Sequence, residues 1–175
     1  MSTPSWENTF KEVHARGVAA WKAGRRAPTT MFTASDSEFL YSIGCSNQEM
    51  FDFVDDYGYG GEPDLDTVLA VQAIRKDYLE KEMAGVRSTF VASMESLPAK
   101  SFAVDGIPWL PRLIVKARLK LRGEMPADLM YGCGGDRPFV ARMKTTLHDF
   151  LALVRTHGTD DRKIIDATKR IAALR

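Results

Sequence analysis

The chain has 175 residues, of which 45% are hydrophobic and 27% charged, and its formal net charge is +1 at pH 7. This composition is that of a globular protein, and no run reaches the roughly 18 apolar residues that a membrane span needs. We therefore predict a single domain over residues 1–175 without membrane association. The N-terminus lacks the pattern of a secretory signal, which favours a cytoplasmic location. Two cysteines argue against a disulfide framework, although one bridge between Cys45 and Cys133 remains open at this point.

Charge is distributed unevenly along the chain. Residues 1–108 carry 10 Lys/Arg and 16 Asp/Glu, whereas residues 109–175 carry 14 and 7. Opposite charges on the two halves favour their mutual docking. A nucleic-acid surface on the basic half is the alternative, but few aromatic residues accompany the positive charges. We therefore do not expect nucleic-acid binding.

The first half of the chain predicts helices with recognisable ends. Apolar residues recur at helical spacing from Ser5 until Gly24, where a helix should end. Ser46 and Glu49 form a capping-box pattern that opens a helix through Tyr57. A glycine-rich turn over residues 57–61 should follow, and then a long central helix from Leu65 to about Met83.

The second half begins with a linker, residues 84–108, whose glycines and prolines separate two β-favouring stretches at 89–92 and 101–104. A short β-hairpin is expected there. A helix from Pro111 to Arg122 should end at Gly123, because proline suits a first helical turn and glycine a helix end. Further helical segments are predicted from Asp136, after Thr146, and from Asp160 or Asp161 to Leu174.

The chain resembles itself after a shift of 100 positions. Residues 36–58 then fall on residues 136–158 with one apolar template and the identities Asp36/Asp136, Phe39/Phe139, Val54/Val154 and Gly58/Gly158. This pattern predicts a mainly α fold of two pseudo-repeated helical units packed into one domain. Unit one would cover about residues 5–83 and unit two about residues 109–175.

The helix at 111–122 carries two apolar strips with cations between them. Arg112, Lys116 and Lys120 follow one seam, and Arg118 and Arg122 follow the other. Val115 and Leu119 form the second strip, so the helix should be covered on two sides. Cations in such seams need partners, which are either carboxylates of the acidic first half or a carboxylate or phosphate ligand.

A glycine-rich loop, Tyr131 to Pro138, precedes the next helical segment. Glycines allow close approach of a ligand to the main chain, and Cys133 near Arg137 is a candidate nucleophile. The alternative is structural: Gly134 and Gly135 make a turn, Asp136 caps a helix, and Cys133 packs as a small apolar group. The three histidines show no ligand spacing, so we predict no metal and no cofactor.

Residues of the second half resemble a bacterial family catalogued as domain of unknown function 5069. The resemblance covers about residues 107–160, with a degenerate copy in the N-terminal half. Its most specific parts are the Leu-Pro-Arg helix start at 110–112 and the loop from Cys133 to Asp136, which here reads Cys-Gly-Gly-Asp where the family has Pro-Leu in the middle. The resemblance implies a small, mainly helical cytoplasmic protein of unestablished activity.

The preferred functional interpretation is a small anionic ligand, a carboxylate or a phosphate, bound or transformed in a pocket of the second unit. Cys133 would be the nucleophile or redox group, Tyr131 a proton donor, and Asp136 the residue that orders the loop. The cations expected to hold the ligand are Arg112, Lys116, Arg118 and Arg137. The alternative is a non-catalytic interaction or homodimerisation module, and the sequence does not decide whether the protein is an enzyme.

Overall fold

The computed structural model describes residues 5–174, which form a mainly helical chain with one small hairpin. The helices are α1 Trp6–Lys22, α2 Pro28–Met31, α3 Ala34–Ser42, α4 Asn47–Gly60, α5 Leu65–Lys81, α6 Leu110–Arg122, α7 Asp136–Arg142, α8 Leu147–His157 and α9 Asp161–Ala173. The strands are β1 Ala103–Val104 and β2 Ile107–Pro108, and a single 3₁₀ turn spans Met94–Ser96. Among these residues no helix is long and apolar enough to cross a bilayer.

Contacts divide the chain into two compact units, Met1–Lys76 and Asp77–Arg175. The boundary lies within α5 and not in the predicted linker, and the linker residues 84–108 belong to the second unit. The first unit therefore ends at Lys76 and not at about residue 83, and the second begins at Asp77 and not at about residue 109. The prediction of a single domain stays a prediction.

In the first unit, α1 packs against α4, and α2 and α3 also contact α4. α1 starts beside Ser5, as predicted, and the Ser5 side chain caps it by accepting a hydrogen bond from the Asn8 backbone N–H. Ser46 and Glu49 form the predicted capping box of α4. The buried Gln72 side chain of α5 donates to the Ile43 carbonyl over 2.8 Å, which fixes α5 to the turn after α3.

The predicted turn over residues 57–61 is wrong. α4 continues to Gly60, and only Gly61 takes the left-handed conformation that ends it. Gly58 lies inside the helix, and a Cβ atom there would come within 2.3 Å of the Trp21 ring. Glycine is therefore needed at 58 for close helix packing, not for a turn.

Two acidic residues of α4, Asp52 and Asp55, are partly buried and accept hydrogen bonds. Asp55 accepts a hydrogen bond of 2.8 Å from the Trp21 indole nitrogen. Burial raises the pKa of Asp52 to about 7, and the neighbouring carboxylates Glu49, Asp56 and Asp55 add to the rise, against a hydrogen bond from Gln48. Asp52 is thus partly protonated near neutral pH.

In the second unit, α6 lies between the other elements, because it contacts α8, α9 and the hairpin strand β1. Its predicted ends are confirmed, with Pro111 in the first turn and Gly123 in the left-handed conformation at the end. The hairpin pairs Ala103 with Pro108 and Val104 with Ile107, as expected for the linker. Residues 89–92 form no strand, however, which corrects that part of the prediction.

Both apolar strips of α6 are covered, as predicted. Leu110, Leu113, Ile114, Ala117 and Leu121 are buried along the main arc. On the second strip, Leu119 and Val115 pack in a separate cluster with Ala92, Leu97 and Leu129. Residues of the linker therefore cover this strip within the second unit. Val115 and Leu119 thus contact their own chain and do not form a surface for a second copy of it.

Candidate functional site

A polar cluster lies where α6 meets the loop before α7. The Lys116 ammonium is 2.5 Å from Asp136 Oδ2 and 3.3 Å from the Cys133 sulfur. The side chains of Lys116 and Asp136 are 2% and 0% exposed, so the ion pair is removed from solvent. Three of the residues that the sequence singled out thus converge on one point.

The Asp136 carboxylate is held by three donors. Trp109 Nε1 donates to Oδ1 over 2.9 Å, while Lys116 and the Gly132 amide donate to Oδ2. A buried carboxylate requires such partners, because an unpaired one would pay a large desolvation penalty. The hydrogen bond from the Gly132 amide links the glycine-rich loop to the ion pair. Asp136 therefore makes the contact that it needs in order to hold the loop in place.

Trp109 contributes an unusual backbone conformation to this arrangement. Its φ is +73°, which is a rare value for a bulky side chain and costs about 1–3 kcal/mol. The conformation lets the chain enter α6 while the indole reaches back to Asp136. The hydrogen bond to the buried carboxylate is one interaction that stabilises this conformation.

Tyr131 is buried beside the cluster, and its hydroxyl donates to the Leu147 carbonyl over 2.7 Å. Burial raises the pKa of the phenol well above its usual value, and the Asp136 carboxylate adds to the rise. The hydroxyl proton is already engaged by the main chain. This geometry suits Tyr131 to anchoring the start of α8 and not to the predicted proton donation.

The four predicted cations have different partners. Arg112 donates to the Pro98 carbonyl over 2.8 Å and so binds the linker. Arg118 donates to the Gly158 carbonyl and forms an ion pair with Asp161. Arg137 donates to the Gly132 carbonyl over 2.8 Å and therefore stays at the Cys133 loop. Of the four, Lys116 and Arg137 adjoin the loop through these contacts, whereas Arg112 and Arg118 bond elsewhere.

Three of the α6 cations form ion pairs with carboxylates of the second unit. Lys116 pairs with Asp136, Arg118 with Asp161, and Arg122 with Glu124. The expectation that this helix pairs with the acidic first half of the chain is therefore wrong for these three residues.

The two cysteines differ in chemical access. Cys45 is fully buried, whereas Cys133 is partly exposed, and both are free thiols. The disulfide that the sequence left open is thus not formed. Cys133 is the more exposed of the two residues and its sulfur lies beside a buried ammonium, whereas Cys45 is shielded and provides an internal control.

Sequence reasoning missed Trp109 and Gly132 as members of the cluster. Trp109 lies directly before the Leu-Pro-Arg helix start. A tryptophan at that place gave no reason to expect a positive φ angle. One signal was available: Lys116 and Asp136 lie 100 residues after Arg16 and Asp36, which also form an ion pair. Extending the internal match upstream to Arg16 would have shown that a basic and an acidic residue recur at both pairs of positions.

Gly135 packs directly against Trp109. A Cβ atom at 135 would lie 2.4 Å from the Trp109 ring, so the indole occupies the space that any larger side chain needs. Glycine at 135 and tryptophan at 109 are therefore a matched pair in this chain.

Comparison with protein-family models, curated proteins and solved structures found no significant match to this chain. The resemblance to domain of unknown function 5069 consequently continues as a proposal.

We expect Gly135→Ala to destabilise the second unit by roughly 1–3 kcal/mol, since the added methyl group displaces the Trp109 ring and loosens its bond to Asp136. Gly134→Ala is the matched control, because the nearest atom to a Cβ there is Arg137 Nη2 at an ordinary 3.7 Å. Urea unfolding followed by circular dichroism measures both variants. Equal effects of the two substitutions would contradict this packing account.

Proposed function

We propose that the second unit binds a small carboxylate or phosphate beside Cys133, and that in a bound phosphate ester the Cys133 sulfur attacks the phosphorus atom while the ester oxygen leaves. The observation that supports the proposal is the position of the buried Lys116 ammonium, 3.3 Å from the sulfur of Cys133, a residue that is partly exposed. A cation at this distance attracts an anion that is bound against the sulfur. The membership in domain of unknown function 5069 is proposed with it, on the residues Tyr131, Cys133 and Asp136.

Each residue of the cluster has a defined part in this proposal. Asp136 holds Lys116 and the Gly132 amide and does not contact the ligand, since its oxygens already accept three hydrogen bonds. Lys116 carries three donor hydrogens, of which Asp136 and Cys133 take two. Arg137, held at the Gly132 carbonyl, supplies a second positive charge at the loop. Lys116 and Arg137 thus place two cationic side chains at the loop that carries Cys133.

Alkylation by a charged and a neutral reagent tests the proposal. Iodoacetate should modify Cys133 faster than iodoacetamide does, by roughly fivefold relative to the ratio for glutathione, because about 1 kcal/mol of charge attraction favours the anion. Cys45 should remain unmodified in the folded protein. Inorganic phosphate should slow the reaction of Cys133 when ionic strength is held constant with chloride, and peptide mass spectrometry identifies the modified residue.

Matched arginine variants provide the control. Arg137→Gln should lower the preference for iodoacetate, whereas Arg142→Gln should leave it unchanged, since Arg142 lies at the end of the same helix against the Phe139 ring. A reagent ratio equal to that of glutathione, together with no protection by phosphate, would refute an anion site at Cys133.

Homodimerisation is the second candidate, and one observation favours it. The linker leaves large apolar side chains exposed, with Val86 at 69%, Phe90 at 60% and Val91 at 61%. Clustered exposed apolar residues are typical of interaction surfaces. We propose a second copy of this chain as the partner of residues 86–91.

Light scattering across a range of protein concentrations measures this association. The wild-type chain should reach the mass of a dimer, and Phe90→Ser combined with Val91→Ser should return it to a monomer. Tyr41→Ser serves as the control, since it removes an equally exposed aromatic ring at a different place. A monomeric wild type at every concentration would rule out the dimer.

A further inference from the structure

A separate cavity of about 250 Å³ lies in the second unit, partly open to solvent. α6 contributes Arg118, Leu121 and Arg122 to its wall, and α8 contributes Val154 and Arg155. Tyr78, Glu82, Gly158 and Thr159 complete the wall. Arg118 lies two residues after Lys116 on α6, which places it about 200° around the helix axis. The cavity is thus on the side of α6 away from the Cys133 cluster.

The wall of this cavity combines apolar and cationic groups. Leu121 and Val154 are buried and provide an apolar base. The charged residues of the wall are Arg118, Arg122, Arg155 and Glu82, and carboxylates outside the wall pair with the three arginines. Such a combination of an apolar surface with a few polar groups is typical of sites for small organic ligands.

Carboxylates hold two of the guanidinium groups in place. Arg155 donates through Nε and Nη2 to Glu82, and it also pairs with Asp77 over 2.8 Å. Arg118 donates through Nε to the Gly158 carbonyl and through Nη2 to Asp161. Both side chains are thereby fixed, at 21% and 27% exposed, which lowers the entropy that a ligand must remove.

Both arginines retain unused donors. Within residues 5–174, the hydrogen bonds of Arg118 and Arg155 involve Nε and Nη2, and neither Nη1 atom has a partner. A guanidinium group has five N–H donors, and a carboxylate accepts from several at once. A ligand carboxylate can therefore be bound without breaking the existing ion pairs.

We infer that this cavity is a binding site for a small monocarboxylate with an apolar body, such as an aromatic or branched aliphatic acid. A dry cavity of about 150 Å³ accommodates benzene in another protein, so this volume suffices for one ring with a carboxylate attached. A single charge suits the wall better than a phosphate dianion does, because Glu82 lies in the same wall. The inference is independent of the chemistry proposed at Cys133.

Benzoate is the probe, with benzamide as the uncharged molecule of the same shape, and both are titrated by calorimetry into the full chain. Benzoate should bind at one site, and benzamide should bind about ten- to a hundredfold more weakly, as expected when a charge-assisted hydrogen bond is lost. Thr159→Phe should abolish benzoate binding by filling the cavity without touching an ion pair. Arg155→Gln should weaken it at least about tenfold.

Arg162→Gln is the matched control, since Arg162 is ion-paired with Asp105 and Asp166 and does not line the cavity. It should leave benzoate affinity unchanged. Circular dichroism spectra establish that each variant is folded. No saturable benzoate binding, equal affinity for benzamide, or full binding by the Thr159→Phe variant would overturn the inference. Benzoate should not alter the alkylation rate of Cys133, so this outcome is distinguishable from failure of the anion site there.

Discussion

The buried ion pair of Lys116 and Asp136 is the constraint on which the architecture around the loop depends. Two charges that leave water lose several kcal/mol of solvation each, and only close contact with further hydrogen bonds offsets that loss. Trp109 and the Gly132 amide supply those bonds. The requirement to satisfy one carboxylate therefore determines how the chain enters α6, why position 135 is glycine, and where the Cys133 sulfur lies.

The first unit contains an ion pair at the corresponding sequence positions. Arg16 of α1 is 2.6 Å from Asp36 of α3, 100 residues before Lys116 and Asp136. Burial alone would raise the pKa of Asp36, but hydrogen bonds from Arg16 and Thr33 outweigh it and lower that pKa. Arg16 is half-exposed, so the first pair has no dry cation beside a thiol. That the chain arose by duplication stays a prediction.

Local signals predicted most helix ends, because Ser5, Ser46 and Gly123 act within one turn of their own helices. Contacts between distant residues were less visible. The sequence pattern predicted a turn at Gly58, whereas glycine is required there because the Trp21 ring packs against the helix. The convergence of Lys116, Cys133 and Asp136 followed from residue types and the helix seam, whereas the bond of Arg112 to Pro98 depends on the path of an irregular linker. The cavity lined by Arg118 and Arg155 lies between α6 and α8. No sequence motif indicates how these two helices are placed relative to each other.

A double-mutant cycle on the ion pair tests the central claim most directly. The free energy of unfolding is measured in urea for Asp136→Asn, Lys116→Met and the combined variant. Each single change should cost about 3–5 kcal/mol, because it leaves one buried charge unpaired, and the double variant should be markedly more stable than the sum of the two losses implies. Small, additive losses below about 1 kcal/mol would show that the pair does not organise this region.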